Sequence, residues 1–413
     1  MRVDILETQL FFRYFSDAIG KSDLLPVKGV STDSRDIKKG DLFLAIKGEN
    51  FDGSEFVEEA FSSGATYAIV QSGDENHNTF LVDDVISFIG KICSQWMNDF
   101  DGNVIAVTGS NGKTTTKDLI SHILNKKGYD VSKTQGNFNT SIGVPLSIFS
   151  FPHDASQVYV LELGANRVGD IEYLSSMVKP DIGVITNISD AHLEGFGSIE
   201  NITKEKKSIL THSKKGYYNE DIIEPFRGLV NHPLGKNNVF LKNASIACKV
   251  CEDFMSEGDS VRFDELLQDF TLPKGRGEAC LLSNNITLID DAYNANPESV
   301  KAAIDNLQSY QTEGKKIFVF GDMKELGKDE VKFHEEIANY CEEKIDTIIC
   351  YGDLAKNTFN GSKNIPLSLH FNSKEALSNK VCNLLEKNDI VLLKGSRSMG
   401  LDSVAEDIKN YVQ

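Results

Sequence analysis

Apolar positions along this chain follow two rhythms. Short continuous apolar runs, suited to strands buried on both faces, are separated by stretches whose apolar residues fall three and four apart, as on one side of a helix. Residues 41–46 predict a strand ending in a Lys47-Gly48 turn, 56–63 a helix stopped near Gly64, and 65–70 another strand. Residues 83–98 set Ile86, Ile89, Ile92 and Trp96 at helical spacing. The run 103–108 predicts a buried strand, followed by a glycine loop and a helix over about 113–125, with further strands at 157–163 and 182–187. From Gly275 onward, strands fall at 286–290, 316–320, 347–351 and 389–393, with helices near 297–308, 330–343, 373–386 and 402–412. Strands alternating with helices predict an α/β protein with parallel sheets and right-handed crossovers. Soft boundaries near 82 and 274 divide it into three units. These are a small N-terminal α/β unit (1–82), a central parallel-sheet unit carrying the glycine loop (83–274) and a C-terminal Rossmann-like α/β unit (275–413).

Composition narrows what such a chain can do. Its 413 residues are 40% hydrophobic and 25% charged, ordinary globular values for a chain long enough to bury several cores. Lys and Arg number 43 against 61 Asp and Glu, a net charge of −18. Bulk charge therefore repels a phosphate backbone, so nucleic acid is not expected as a partner and any anionic ligand must be held by a local site. There is no run of 18 apolar residues, so no membrane span is expected. The acid-bearing start, Met1 to Glu7, lacks the apolar stretch of a signal peptide. Seven scattered cysteines suit a reducing cytoplasm rather than a disulfide framework. The Cys248-Lys249-Val250-Cys251 pair has no companion pair and reads as packing rather than zinc ligation. Phe11, Phe12, Tyr14 and Phe15 read as a packed helix or hairpin rather than the lip of a groove.

One loop concentrates the chemistry. Thr108-Gly109-Ser110-Asn111-Gly112-Lys113-Thr114-Thr115-Thr116 lies between a predicted strand and a predicted helix. Glycines let main-chain N–H groups turn toward an anion, and a helix N-terminus adds partial positive charge. Gly109 through Thr115 would cradle phosphates, with Lys113 reaching the β- and γ-phosphates and the Thr114 hydroxyl ligating Mg²⁺. The G-x-x-G-K-T pattern is two residues shorter than the usual phosphate loop. Strand, loop and helix nevertheless agree, and a nucleoside triphosphate is expected here. Glu162 closes one predicted strand and His192 follows another, so both project at the same sheet edge as the loop. An isolated residue of either type is more often structural; flanking a phosphate loop, the two read as ligands of a second Mg²⁺. By charge alone Lys204, Lys206 and Lys207 read as a solvated helical face.

With these motifs in place, the chain resembles the ATP-dependent Mur ligase family, and within it the dipeptide-adding branch. The first unit contributes Thr32-Asp33-Ser34-Arg35 and Gly40-Asp41-Leu42-Phe43. The central unit contributes the phosphate loop, Gly136-Asn137-Phe138-Asn139, Ile142-Gly143-Val144-Pro145, Glu162-Leu163-Gly164 and the stretch from Asn187 to His192. Three C-terminal marks favour that branch: Asp290 to Pro297, Gly321 to Gly327 and Lys394 to Gly400.

The resemblance implies units that bind a UDP-sugar, ATP and the amino substrate in turn. It implies ATP-dependent joining of D-alanyl-D-alanine to a UDP-N-acetylmuramoyl tripeptide, through an acyl phosphate, in peptidoglycan precursor synthesis. A cytoplasmic monomer is expected. The resemblance makes Lys113, Glu162, His192 and Lys206 catalytic, and Thr114, Glu162, His192 and Lys206 metal ligands. Lys206 would be carbamylated by CO₂, since an ammonium repels Mg²⁺ whereas a carbamate offers it anionic oxygens. Asn294 and Asn296 would meet the nucleotide across the cleft. Ser34, Arg35, Lys47, Asn139, Thr140, Ser141, Asp322 and Lys394 would touch substrate.

The chain also departs from that family. Glu205-Lys206-Lys207-Ser208 stands where a small residue, lysine, glycine and glutamate are usual. The segment between Leu210 and Gly235 is short, and Gly235-Lys236-Asn237-Asn238 lacks the histidine of Gly-x-His-Asn. Ser54, in Asp52-Gly53-Ser54, replaces another histidine. These changes spare the ATP chemistry but leave two alternatives open. One is a Mur-like ligase with a different acyl substrate; the other is a nucleotide-dependent scaffold without turnover.

Overall fold

The computed structural model describes residues 1–48, 51–190, 193–221, 229, 234, 237–255 and 261–412. Among them, three sheets follow one another along the chain. The first holds β1 (Arg2–Asp4), β2 (Gly29–Ser31), β3 (Asp41–Leu44), β4 (Tyr67–Val70) and β5 (Thr79–Leu81) in sequential order, with only β1 antiparallel to its neighbour. The second is all parallel, in the order β10-β9-β6-β8-β7: β6 (Asn103–Thr108), β7 (Val131–Lys133), β8 (Val158–Glu162), β9 (Ile182–Ile185) and β10 (Lys215–Tyr218). The third runs β11-β12-β16-β13-β14-β15. It comprises β11 (Glu278–Leu281), β12 (Thr287–Asp291), β13 (Lys316–Gly321), β14 (Thr347–Tyr351), β15 (Leu367–Phe371) and β16 (Ile390–Lys394). Only its edge strand β11 is antiparallel.

Helices form where the apolar spacing and the stop signals predict them, and also over 355–361, which that pattern did not mark. α1 (Thr8–Ile19) buries Phe11, Tyr14 and Phe15 and ends at Gly20, so those aromatics are packing. α2 (Val57–Ser63) stops at Gly64, whose φ of 112° suits glycine. α3 (Val85–Asn98) starts at Asp84, whose side chain accepts from the Ser87 N–H. The central unit adds α4 (Lys113–Lys126), α5 (Gly143–Phe149), α6 (Asp170–Val178), the single turn α7 (Leu193–Phe196), α8 (Ile199–Lys207), α9 (Asn238–Phe254) and α10 (Phe263–Leu266). α11 (Pro297–Ser309), α12 (Glu330–Cys341), α13 (Ala355–Gly361), α14 (Lys374–Leu384) and α15 (Asp402–Tyr411) cover the third sheet. No helix among the described residues is long and apolar enough to cross a membrane.

The period of two along each strand decides where the cores sit. Val104, Ala106, Tyr159 and Leu161 face one side of the second sheet, and Ile105, Val107, Val158 and Val160 face the other. The second set packs with α4 and α9 and includes fully buried Cys248 and Cys251, so the C-x-x-C pair is core. The first set merges with the aromatic core of the first unit, through Phe11, Phe15, Phe88, Trp96 and Phe149. The change of sheet near residue 82 is therefore no break in the core. α3 carries that continuity: Phe88 meets Phe15 on α1, while Gly90 lies so close to Tyr173 on α6 that a Cβ would fall 1.9 Å from its hydroxyl.

Phe149 is the hinge pin of this shared core, 4.9 Å from the Phe11 ring and 5.4 Å from the ring of Trp96, the single tryptophan. Phe149→Ala is expected to cost about 3–5 kcal/mol of stability. Denaturant unfolding followed by Trp96 fluorescence measures it, and a loss below about 1 kcal/mol would contradict the shared core.

Candidate functional site

The strand order of the second sheet reverses around β6, with β8 on one side and β9 on the other. Ligand crevices open at such a switch point, outside the carboxyl ends of the strands. Leaving β6, the chain turns at Gly109 (φ 147°) and Gly112 (φ 80°). A Cβ at Gly109 would lie 2.0 Å from Thr186 Oγ1, and one at Gly112 would lie 2.4 Å from Asn243 Oδ1. Ser110 N–H donates to Asn187 O (2.9 Å) and Asn111 N–H to Asn187 Oδ1 (2.7 Å), so the exit of β9 moulds the loop. α4 then starts at Lys113 with no side chain capping it, which leaves first-turn N–H groups for an anion. Lys113 Nζ donates to Gly109 O (2.8 Å) and Ser110 O (3.2 Å). Burial pulls its pKa below the ordinary lysine value; Glu162 opposes that shift and Arg276 adds to it.

Glu162, the last residue of β8, is buried. Its Oε2 accepts from Thr114 Oγ1 (2.8 Å) and its Oε1 from Asn139 Nδ2 (2.7 Å). Arg276 Nη2 donates in turn to Thr114 Oγ1 (3.1 Å). A hydroxyl and a carboxylate at the mouth of a phosphate loop form the hard oxygen set that suits Mg²⁺. Next to Asn139, Thr140 Oγ1 accepts from Gly143 N–H (3.2 Å) at the start of α5, and Ser141 is half-buried.

The lysine run on α8 divides. Lys204 and Lys207 are exposed, as a solvated face would have them, whereas Lys206 is only 2% exposed and lies 5.7 Å from the Phe196 ring centroid. Charge spacing does not reveal this, because α8 turns that one position into the protein. Burial lowers the Lys206 pKa to about 7; Lys113 lowers it further, while Glu205, Asp170 and Glu162 oppose the shift. His192 lies outside the described residues, as do Gly235 and Lys236.

The third unit meets this edge with its own strand ends. Arg276 stacks 3.8 Å from the Tyr293 ring centroid while reaching Thr114. Asn296 and Asn111 exchange amide hydrogen bonds of 2.7 and 3.4 Å, and Glu298 Oε2 accepts from Asn111 Nδ2 (3.1 Å) and Asn187 Nδ2 (2.8 Å). Asn294 is exposed, with its Oδ1 accepting from Ala295 N–H. Lys394 braces that turn from beneath, donating to Asp291 Oδ2 (2.7 Å) and Asn294 O (3.0 Å). Asp322 is buried with both oxygens engaged, by Ala355 N–H and Lys324 Nζ, each at 2.8 Å. Buried His334 accepts from Met323 N–H (3.0 Å) and faces Glu330 O at 2.6 Å, an arrangement that requires the neutral ring with hydrogen on Nδ1. The same loop reaches α7, where Glu194 N–H meets Glu325 O.

The candidates of the first unit spend their polar groups locally. Ser34 donates to Glu59, exposed Arg35 pairs with Asp33, and Lys47 lies 3.6 Å from Asp52. The residues brought together are thus the glycine loop, Asn139, Glu162 and Asn296. Arg276, Asn243, Asn187 and Glu298 join them without having been singled out as site residues. Arg276 carried one signal, a cation between Gly275 and Gly277 at the start of a unit. Asn243 carried another, an amide inside an apolar helical run.

The Mur ligase family catalytic domain matches residues 26–108, the Mur ligase middle domain 107–223 and the glutamate ligase domain 275–397. The UDP-N-acetylmuramoyl-tripeptide–D-alanyl-D-alanine ligase of Bacillus subtilis (strain 168) is 34% identical over 92% of this chain and 93% of its own. That of Escherichia coli (strain K12) is 28% identical over 93% and 94%. The MurF ligase of Thermotoga maritima, solved with ADP, superposes with a TM-score of 0.79 at 28% identity, covering 93% of this chain and 97% of its own. MurF of Acinetobacter baumannii gives 0.80 at 27% identity, covering 96% and 98%.

Burial holds the His334 pKa below its ordinary 6.5. The folded value lies below the unfolded one, so the stability this ring contributes is complete above about pH 6.5 and is lost as pH falls toward the folded value. His334→Gln, which cannot titrate, should therefore lose less melting temperature than wild type between about pH 7.5 and 5.5. Equal losses in paired thermal melts would contradict the neutral acceptor.

Proposed function

The chain belongs to the Mur ligase family, and from that premise we propose that it joins D-alanyl-D-alanine to a UDP-N-acetylmuramoyl tripeptide, using ATP, as a step of peptidoglycan precursor synthesis. The observation that carries this reading is a match to ligases of that name over more than nine-tenths of the chain. Half-buried Lys113 with buried Thr114 and Glu162, gathered at the switch point of the second sheet, support it. On this reading residues 1–82 bind the UDP-sugar, 83–274 bind ATP and 275–413 bind the dipeptide, in a cytoplasmic monomer.

A carboxylate and an amine do not condense in neutral water, because the acid lacks a leaving group. In the proposed reaction a carboxylate oxygen of the tripeptide attacks the γ-phosphorus of ATP, the bond to the bridging oxygen breaks, and ADP departs. The dipeptide amine then attacks the acyl carbon and loses a proton, and phosphate leaves carrying the acid's oxygen. Two anions must meet in the first step, so charge neutralisation dominates the barrier. The N-terminus of α4 and Lys113 hold the phosphates, and Arg276 brings a fixed cation from the third unit. Thr114 and Glu162 would hold Mg²⁺, which when bound neutralises phosphate charge. Asn294 and Asn296 are assigned to the nucleotide. Ser34, Arg35 and Lys47 are assigned to the UDP-sugar, and Asn139, Thr140 and Ser141 to the peptide substrates, whereas buried Asp322 and Lys394 spend their polar groups bracing the loops of the third unit. Closure of the third unit over the second would keep water from the acyl phosphate.

Lys206 is assigned as a carbamate. Burial favours its neutral amine, which can add to CO₂ with formation of an N–C bond and loss of a proton. The resulting anion, with His192, would offer ligands to a second Mg²⁺.

Phosphate release should require both UDP-N-acetylmuramoyl tripeptide and D-alanyl-D-alanine, and ¹⁸O from the tripeptide carboxylate should appear in the phosphate. Release with another acid and amine would instead indicate a different acyl substrate, and no turnover with any pair a scaffold. Lys113→Ala should lower kcat/KM by at least about 100-fold in that assay. Lys206→Ala should be nearly inactive and recover with an added short carboxylate; full activity unaided would refute the carbamate.

A further inference from the structure

Beside this site lies a buried carboxylate that the reaction above does not use. Glu205 precedes Lys206 on α8 and is 3% exposed. Its Oε2 accepts from Gly169 N–H at 2.7 Å and its Oε1 from Ile171 N–H at 2.5 Å. Both donors belong to the first turn of α6, whose N-cap is Gly169, with φ 99° and no side chain to cap the turn. A carboxylate from another helix thus does the capping, in two charge-assisted bonds favoured by the helix dipole.

What that cap connects matters more than the cap itself. The segment 163–171 leaves β8 directly after Glu162. It is bonded at its near end by Leu163 N–H to Val107 O (2.8 Å) and Gly164 N–H to Asn139 O (2.7 Å). Toward its far end Asn166 and Arg167 N–H donate to Asp170 Oδ2 (2.9 and 3.1 Å). Glu205 bonds the end of this braced segment to α8. Neighbours on a helix point about 100° apart, so Glu205 can grip α6 while Lys206 faces elsewhere. The small residue usual at this place could make neither bond.

We propose that Glu205 is a positioning residue: by gripping Gly169 and Ile171 it fixes Lys206 on α8 relative to Glu162 on β8, and so sets the spacing of two ligands for divalent cations. The inference rests on the reading of Lys206 as a carbamate ligand. Partners that orient ligands in this way typically carry a 10- to 100-fold effect on metal affinity or activity.

Glu205→Gln keeps the shape but turns an amide donor toward an N–H donor, and Glu205→Asp keeps the charge on a shorter arm. The full chain, equilibrated with ¹³C-bicarbonate, is read by the carbamate carbon signal that Lys206→Ala lacks, by the Mg²⁺ concentration giving half-maximal rate, and by kcat against KM for ATP. We expect Glu205→Gln to weaken the carbamate signal, raise the Mg²⁺ requirement and lower kcat by roughly 10- to 100-fold, with KM for ATP within about twofold. Glu205→Asp should fall between that variant and wild type, and it carries the test on the same readouts if Glu205→Gln does not fold. A variant that only melts earlier, with signal, Mg²⁺ requirement and kcat as in wild type, overturns the positioning role and leaves the carbamate reading standing. A wild-type protein without a Lys206-dependent signal overturns the carbamate reading, and this inference with it.

Discussion

An acidic chain that must hold polyanions cannot use its overall field, and at a net charge of −18 that constraint governs the whole carboxyl edge of the central sheet. Positive potential has to be made locally, from main-chain N–H groups and a few cations withdrawn from water. The uncapped start of α4, Lys113 and Arg276 supply it in one place. Each is held by other bonds: Lys113 on loop carbonyls, Arg276 on Tyr293, and the loop itself on Asn187. Pre-organisation of this kind is what makes charges effective in a site that excludes water.

The same constraint explains why the second sheet alone is not enough. A switch point on one sheet can offer a phosphate cradle and a carboxylate, but a cation facing them must come from elsewhere. The third unit delivers it. Lys394 at the end of β16 braces the turn after β12 that carries Asn294 and Asn296, and Asp322 and Ser396 both bond Lys324 just past β13. Asn111, Asn187, Asn296 and Glu298 pair neutral amides with one carboxylate across the interface, a contact of hydrogen bonds rather than apolar area. Such interfaces are suited to opening and closing. The first and second units, by contrast, share an apolar core through α3 and Phe149.

Two lysines near Glu162, one half-buried and one buried, differ in their surroundings. Lys113 has carbonyl partners on the loop, whereas Lys206 faces the Phe196 ring. Burial pulls both pKa values down, that of Lys206 to about 7. Burial, not the run of lysines, separates Lys206 from its two solvated neighbours.

The chain by itself determined the central strands, the helix stop at Gly64 and the phosphate loop, because these depend on local patterns: continuous apolar runs, glycine at positive φ, and G-x-x-G-K-T between strand and helix. The edge strands β7, β10, β11 and β15 escaped that reading, since half-exposed segments such as Lys215–Tyr218 and Leu367–Phe371 lack a continuous apolar run, and so did the three-residue strands β1, β2 and β5, too short to show a pattern. Only the tertiary structure decided that Lys206 is buried while Lys204 is not, that Asp322 and Lys394 brace loops, and that Arg276 reaches Thr114. Those outcomes depend on which face of an element meets another and on contacts between residues as far apart as Thr114 and Arg276. Sequence spacing encodes the periodicity of one element, not the partner that another element brings to it.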